Sequence, residues 1–150
     1  MSEKKVFQAS AEAKGKAKQL RMFAIIAWLL AMVGQGFTIY KLISEGLLVR
    51  LTADNSVLIM FIVAIVVILA LAITGSSLWK KANKLDPASE KNKTKFFIQN
   101  QLGAIMNVLA FLPLVILIFM SKDADKKTKG IAGSIAVVAL LIAGISGVDF

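Results

Sequence analysis

Three amide side chains, Gln35, Asn100 and Asn107, lie inside long apolar stretches, where each polar atom must find a partner or meet water. Uncharged amides there can bond a neighbouring helix, or replace part of the hydration of an ion or polar solute without fixing a charge in hydrocarbon. On a helix, Asn100, Gly103, Asn107, Ala110 and Leu114 share one face, with small residues between the two asparagines. That face is predicted to point inward. Counted from the lysine-rich ends of their stretches, Gln35 and Asn107 lie at about 20 Å and about 17 Å. They are therefore expected to be hydrogen-bonded, to each other or through water.

Other chemistries lack their residues. The 150-residue chain has no cysteine and no histidine, which removes thiol chemistry, disulfides, His-ligated metals and His-based acid–base catalysis. Its nine Asp and Glu fall in the tail, in linkers or near helix ends, so a proton-coupled exporter would lack an embedded carboxylate. Ser76 and Lys80, four apart, come nearest to a serine nucleophile with a base. A serine bonded to its own helix beside a snorkelling lysine is a far commoner reason for that spacing. The chain is expected not to be an enzyme and to use no metal and no cofactor.

The amides sit on the first and third of four apolar runs, 22–43, 57–79, 96–120 and 131–148, each long enough to cross about 30 Å of hydrocarbon at about 1.5 Å per residue. Hydrophobic residues make up 57% of the chain and charged ones only 18%, so charge is gathered outside the runs. Lys41 alone falls inside one, close enough to its end to snorkel. The expected fold is all-α, a polytopic membrane protein of four transmembrane helices. A barrel is excluded because the runs are continuously apolar and do not alternate. The first run has the basic start and small residues of a signal peptide, but it continues through Phe37 and Ile39 to an interfacial Tyr40 and Lys41, which predicts a retained helix. The organisation is then a basic tail at 1–21, a four-helix domain at 22–148 and a short end at 149–150.

Charge orients the bundle. Lys4, Lys5, Lys14, Lys16, Lys18 and Arg21 of the tail join Lys80, Lys81, Lys84, Lys91, Lys93 and Lys95 of the second linker on one side, twelve in all. Lys41, Arg50, Lys122, Lys126, Lys127 and Lys129 make six on the other. The positive-inside rule places both termini in the cytoplasm. The six second-linker lysines are candidate contacts for anionic lipid, each worth about 1 kcal/mol near a charged surface. The tail, rich in Ala and Lys, is expected to extend the first helix; its apolar face is too thin for a surface-lying helix. The net charge of +9 does not imply nucleic acid, because no aromatic residues are interleaved among the lysines.

Local signals refine the helices. Asp86 before Pro87 predicts an N-cap and first helical position, starting the third helix about two turns before the membrane. Pro113 removes the amide that would bond the Leu109 carbonyl, which predicts a kink. On the fourth helix Ala132, Ala136, Ala139 and Ala143, with Gly147, form a small-residue ridge suited to close approach, either within the bundle or between subunits.

The run from Gly75 through Trp79, Lys80, Lys81 and Asn83, with Asp86, Pro87 and the stretch Phe96, Phe97, Ile98, Gln99, Asn100, Gln101, Leu102, Gly103, resembles a group of uncharacterised bacterial four-helix integral membrane proteins with no assigned function. The resemblance implies a bacterial inner-membrane location. It also implies a soluble segment beyond Gly147, Val148, Asp149 and Phe150 in a longer form. The expected function is a membrane anchor or interaction module that self-associates and meets an unknown protein partner. The alternative is a small oligomeric channel or transporter whose path is lined by Gln35, Asn100 and Asn107.

Overall fold

In a computed structural model of the protein, residues 11–86, 93–122 and 124–148 are described; the side chains at 11 and 93–96 lie outside that description. The described residues form six helices: α1 (Ala11–Ser44), α2 (Leu47–Arg50), α3 (Asn55–Leu85), α4 (Lys93–Leu109), α5 (Leu112–Met120) and α6 (Lys126–Gly147). Four segments, Glu12–Ser44, Asn55–Leu85, Phe97–Met120 and Lys126–Gly147, are long and apolar enough to cross a membrane.

The first two exceed what a bilayer needs. With 34 and 31 residues, α1 and α3 run to about 51 Å and about 46 Å. Both continue past the hydrocarbon length at the end where the lysines gather. Ala17 and Ala82, both fully buried, lie in these extensions. The extended first helix expected from the Ala and Lys composition is therefore present from Ala11 onward.

α1 packs chiefly against α3, which also touches α4 and α6, while α6 lies along α4 and α5. Small residues set these distances. A Cβ on Gly75 would meet the Trp28 ring at 2.6 Å, and one on Gly147 would meet the backbone of Ala104 at 2.6 Å. Ala132, Ala136, Ala139, Ala143 and Gly147 are all buried within the chain. The ridge on α6 thus serves the internal α4–α6 and α3–α6 contacts and is not left free for a second subunit. Outward-facing residues such as Leu29, Val33, Phe37, Ile59 and Val63 are large and apolar, as lipid-facing positions are.

Helix ends follow local chemistry. Gly46 takes a left-handed conformation, φ +62°, which glycine adopts without a Cβ clash; it ends α1 and turns the chain into α2. Asp54 accepts from the Ser56 amide to cap α3, and Asp125 accepts from the Thr128 amide to cap α6. These bonds hold both carboxyls below the usual carboxylate range: chiefly the Ser56 amide for Asp54, with Arg50 second, and chiefly the Thr128 amide for Asp125. Asp86 ends α3 as its C-cap, with its amide on the Ala82 carbonyl, and the helix start expected at Pro87 falls outside the described residues. Residues 87–92, which include Pro87 and Lys91, lie outside the described residues.

Candidate functional site

Asn107 is the point on which all four spans converge. Its side chain is fully buried on α4. The Trp28 indole of α1 donates to its Oδ1 at 3.2 Å, and its Nδ2 donates to Ser76 Oγ of α3 at 3.1 Å and to the Ala143 carbonyl of α6 at 2.8 Å. The amide orientation follows from its neighbours, since an indole only donates and a carbonyl only accepts. The Ser76 hydroxyl in turn donates to the Ile73 carbonyl at 3.0 Å. In a low-dielectric interior an amide whose donors and acceptor are all engaged is a fastener with little capacity left for a passing solute.

Gln35 fastens a second level. Helix α4 ends at Leu109 and α5 begins at Leu112, so the kink expected at Pro113 is a break between two helices. Pro113 has no amide for the Leu109 carbonyl; Gln35 Nε2 donates to that carbonyl instead, at 3.1 Å. The Leu114 amide, in the unsupported first turn of α5, donates to Gln35 Oε1 at 3.2 Å. One side chain thus replaces two lost helical bonds. Gln35 and Asn107 are both buried, yet they do not bond each other as their estimated depths suggested: Asn107 meets Trp28, seven residues before Gln35, and Gln35 meets the break beyond Asn107.

A third level closes the lysine-rich end. Arg21 donates to Asn83 Oδ1 at 3.0 Å and to the Asp86 carbonyl at 2.8 Å, with its guanidinium 3.6 Å from the Asp86 carboxylate. The same guanidinium lies 5.4 Å from the centre of the Trp79 ring, which in turn stands 5.5 Å from Trp28. The Gln99 carbonyl of α4 accepts from Trp79 at 2.7 Å and from Asn83 at 3.1 Å. Lys80 donates to the Ser146 carbonyl at 2.7 Å, satisfying the carbonyl end of α6.

These contacts sort the expected site residues. Lys80, expected to face anionic lipid, is turned inward onto α6 because unsatisfied carbonyls at a helix C-terminus attract a cation. Lys81 and Lys84 are exposed, whereas Lys91 and the side chains of Lys93 and Lys95 lie outside the described residues. Asn100 is half-buried, and among the described residues no hydrogen bond joins it to Asn107 or Gln35. Gly103 is buried; its Cβ position would stand 3.0 Å from the Gly147 carbonyl oxygen and 3.0 Å from Ser76 Cβ, so it fixes the approach of α4 to α3 and α6. Ser76 and Lys80 do share a face of α3, but the hydroxyl belongs to the Asn107 network and the ammonium to α6.

Sequence reasoning missed Trp28, Asn83 and Gln99 as network members and took Arg21 only as a topology charge. A signal for most of them was present. Arg21, Trp28 and Gln35 are spaced by seven on α1, as are Ser76 and Asn83 on α3, and a seven-residue polar repeat marks one seam of a packed helix. No family model, no curated protein and no solved structure matches the chain.

Proposed function

We propose that the chain is a multi-pass protein of the bacterial inner membrane, acting as a non-enzymatic anchor or interaction module, with both termini on the cytoplasmic side. Four apolar spans and the gathering of twelve of eighteen basic residues at one end support the location and the orientation. The Asn107 node is the observation that carries the reading. One group from each of the other three spans closes on a fully buried amide, which is what a rigid scaffold requires and what a hydrated path would forgo. Contact with a partner then falls to the basic end, where Lys14, Lys16, Lys18, Lys81 and Lys84 are exposed on the extensions of α1 and α3. Self-association, if it accompanies this role, uses a face other than the α6 ridge.

The test is a proteoliposome flux assay for small cations and protons, paired with impermeant thiol labelling of single-cysteine variants, which the cysteine-free chain permits without background. Flux equal to empty vesicles is expected. Labelling from outside intact cells is expected at Ala53→Cys but not at Lys14→Cys or Lys84→Cys. A flux well above empty vesicles that disappears in a folded Asn107→Leu protein would replace the module by a channel.

A further inference from the structure

We propose that a notch between α1 and α3, at the end of the bundle opposite Arg21, binds a phospholipid whose headgroup carries both a phosphate and a primary ammonium, an ethanolamine lipid. The notch encloses about 250 Å³. Its floor is Leu42, Val57 and Phe61, all buried, and α2 closes one end behind the Gly46 turn. Drug-sized sites occupy roughly 300–1,000 Å³, so this one takes part of a ligand, such as the upper stretch of one acyl chain, and leaves the rest to the bilayer.

The rim selects the headgroup. Lys41 Nζ and the Glu45 carboxylate lie 2.6 Å apart at the mouth, with side chains 41% and 48% exposed. The Lys41 ammonium also stands 5.5 Å from the Phe37 ring centre. This is where the apolar run of α1 ends, the depth at which lipid charges sit. An exposed i,i+4 pair contributes little by itself and opens readily to other partners. A phosphate placed by Lys41 and an ammonium placed by Glu45 match an ethanolamine headgroup, and each contact is a charge-assisted hydrogen bond. A choline headgroup offers Glu45 no N–H donor, and a glycerol headgroup offers it no cation.

The inference rests on the membrane-embedded reading, and its test separates the two. The purified protein is first floated with phospholipid vesicles. It is then exposed in detergent to equal amounts of ethanolamine, choline and glycerol phospholipids, and retained lipid is counted by native mass spectrometry. Wild-type protein is expected to float and to retain the ethanolamine lipid about three- to fivefold over the other two, the range that exposed ionic contacts supply. Glu45→Gln is expected to bring ethanolamine down to the choline level. Ala64→Phe, which fills the notch without touching its charges, is expected to lower retention of all three. Failure to float overturns the membrane reading and this site together. A floating protein with equal retention, or a Glu45→Gln protein that keeps its preference, overturns the site alone.

Discussion

Replacing Asn107 by Leu removes three hydrogen bonds but does not orphan three groups equally. The Ala143 carbonyl keeps its place in the α6 ladder, and Ser76 still donates to the Ile73 carbonyl. The Trp28 indole is left as a buried donor facing an aliphatic side chain. A buried unsatisfied donor costs about 1–3 kcal/mol, whereas polar contacts between membrane helices average about 0.6 kcal/mol and reach about 1.7. Taking the indole near the middle of the first range and adding one ordinary interhelical bond gives an expected loss of about 2–3 kcal/mol. The assay is reversible unfolding in mixed micelles, followed by circular dichroism and by fluorescence of the two tryptophans. A double-mutant cycle with Trp28→Phe isolates the shared bond. The single losses are expected to exceed the double loss by about 1 kcal/mol, above the roughly 0.3–0.5 kcal/mol within which independent sites add. An Asn107→Leu protein as stable as the wild type, or a cycle that closes additively, would refute the idea that this amide holds the four helices together.

Three further outcomes follow from the same contacts. Gln35→Met should cost about 1–3 kcal/mol by stranding the Leu109 carbonyl and the Leu114 amide, and Pro113→Ala in that background should recover part of the loss by returning a donor to Leu109; unfolding of the wild type and the two variants checks both. Gly147→Ala should destabilise by about 1–3 kcal/mol because its Cβ meets Ala104 backbone that cannot step aside, while Gly36→Ala, which meets open space, should be neutral or gain up to about 1 kcal/mol of helix propensity. Asp54 and Asp125 have folded pKa values below their unfolded ones, so their contribution is complete above the unfolded value near about 3.9 and fades as pH falls through the folded values. Melting should therefore be flat from neutral pH to about 5 and drop in acid, with a shallower drop in Asp54→Asn and Asp125→Asn.

The spans were legible because continuous apolar runs of membrane length have few other uses. Their true ends were not. α1 begins eleven residues before Met22, and α3 runs to Leu85, because a helix does not stop where hydrocarbon does. The same fact explains the misjudged pairing of Gln35 with Asn107. Depth was measured from apolar edges, which lie at different heights on the two helices; measured from Arg21 beside Asp86, Trp28 is the residue level with Ser76 and Asn107. Inward orientation of the amides was readable from polarity, but which partner each one meets depends on the rotation and register of the packed helices. The Pro113 break was readable from a single residue, since its missing donor is a local fact. The role of Gln35 in mending it was not, as that contact spans 74 positions in sequence. Lys80 shows the limit of charge counting, because a lysine scored toward lipid is spent on the end of α6.

A dry, internally fastened bundle is tested most directly at the Trp28 indole. With only two tryptophans in the chain, nitrogen-15 labelling gives two indole signals in lipid nanodiscs. Transfer into deuterated water should leave the Trp28 N–H protected long after exposed amides have exchanged, and Asn107→Leu should shift that signal. Rapid exchange of the Trp28 indole, with broadening by a water-soluble paramagnetic agent, would place water at the centre of the four helices and contradict the scaffold.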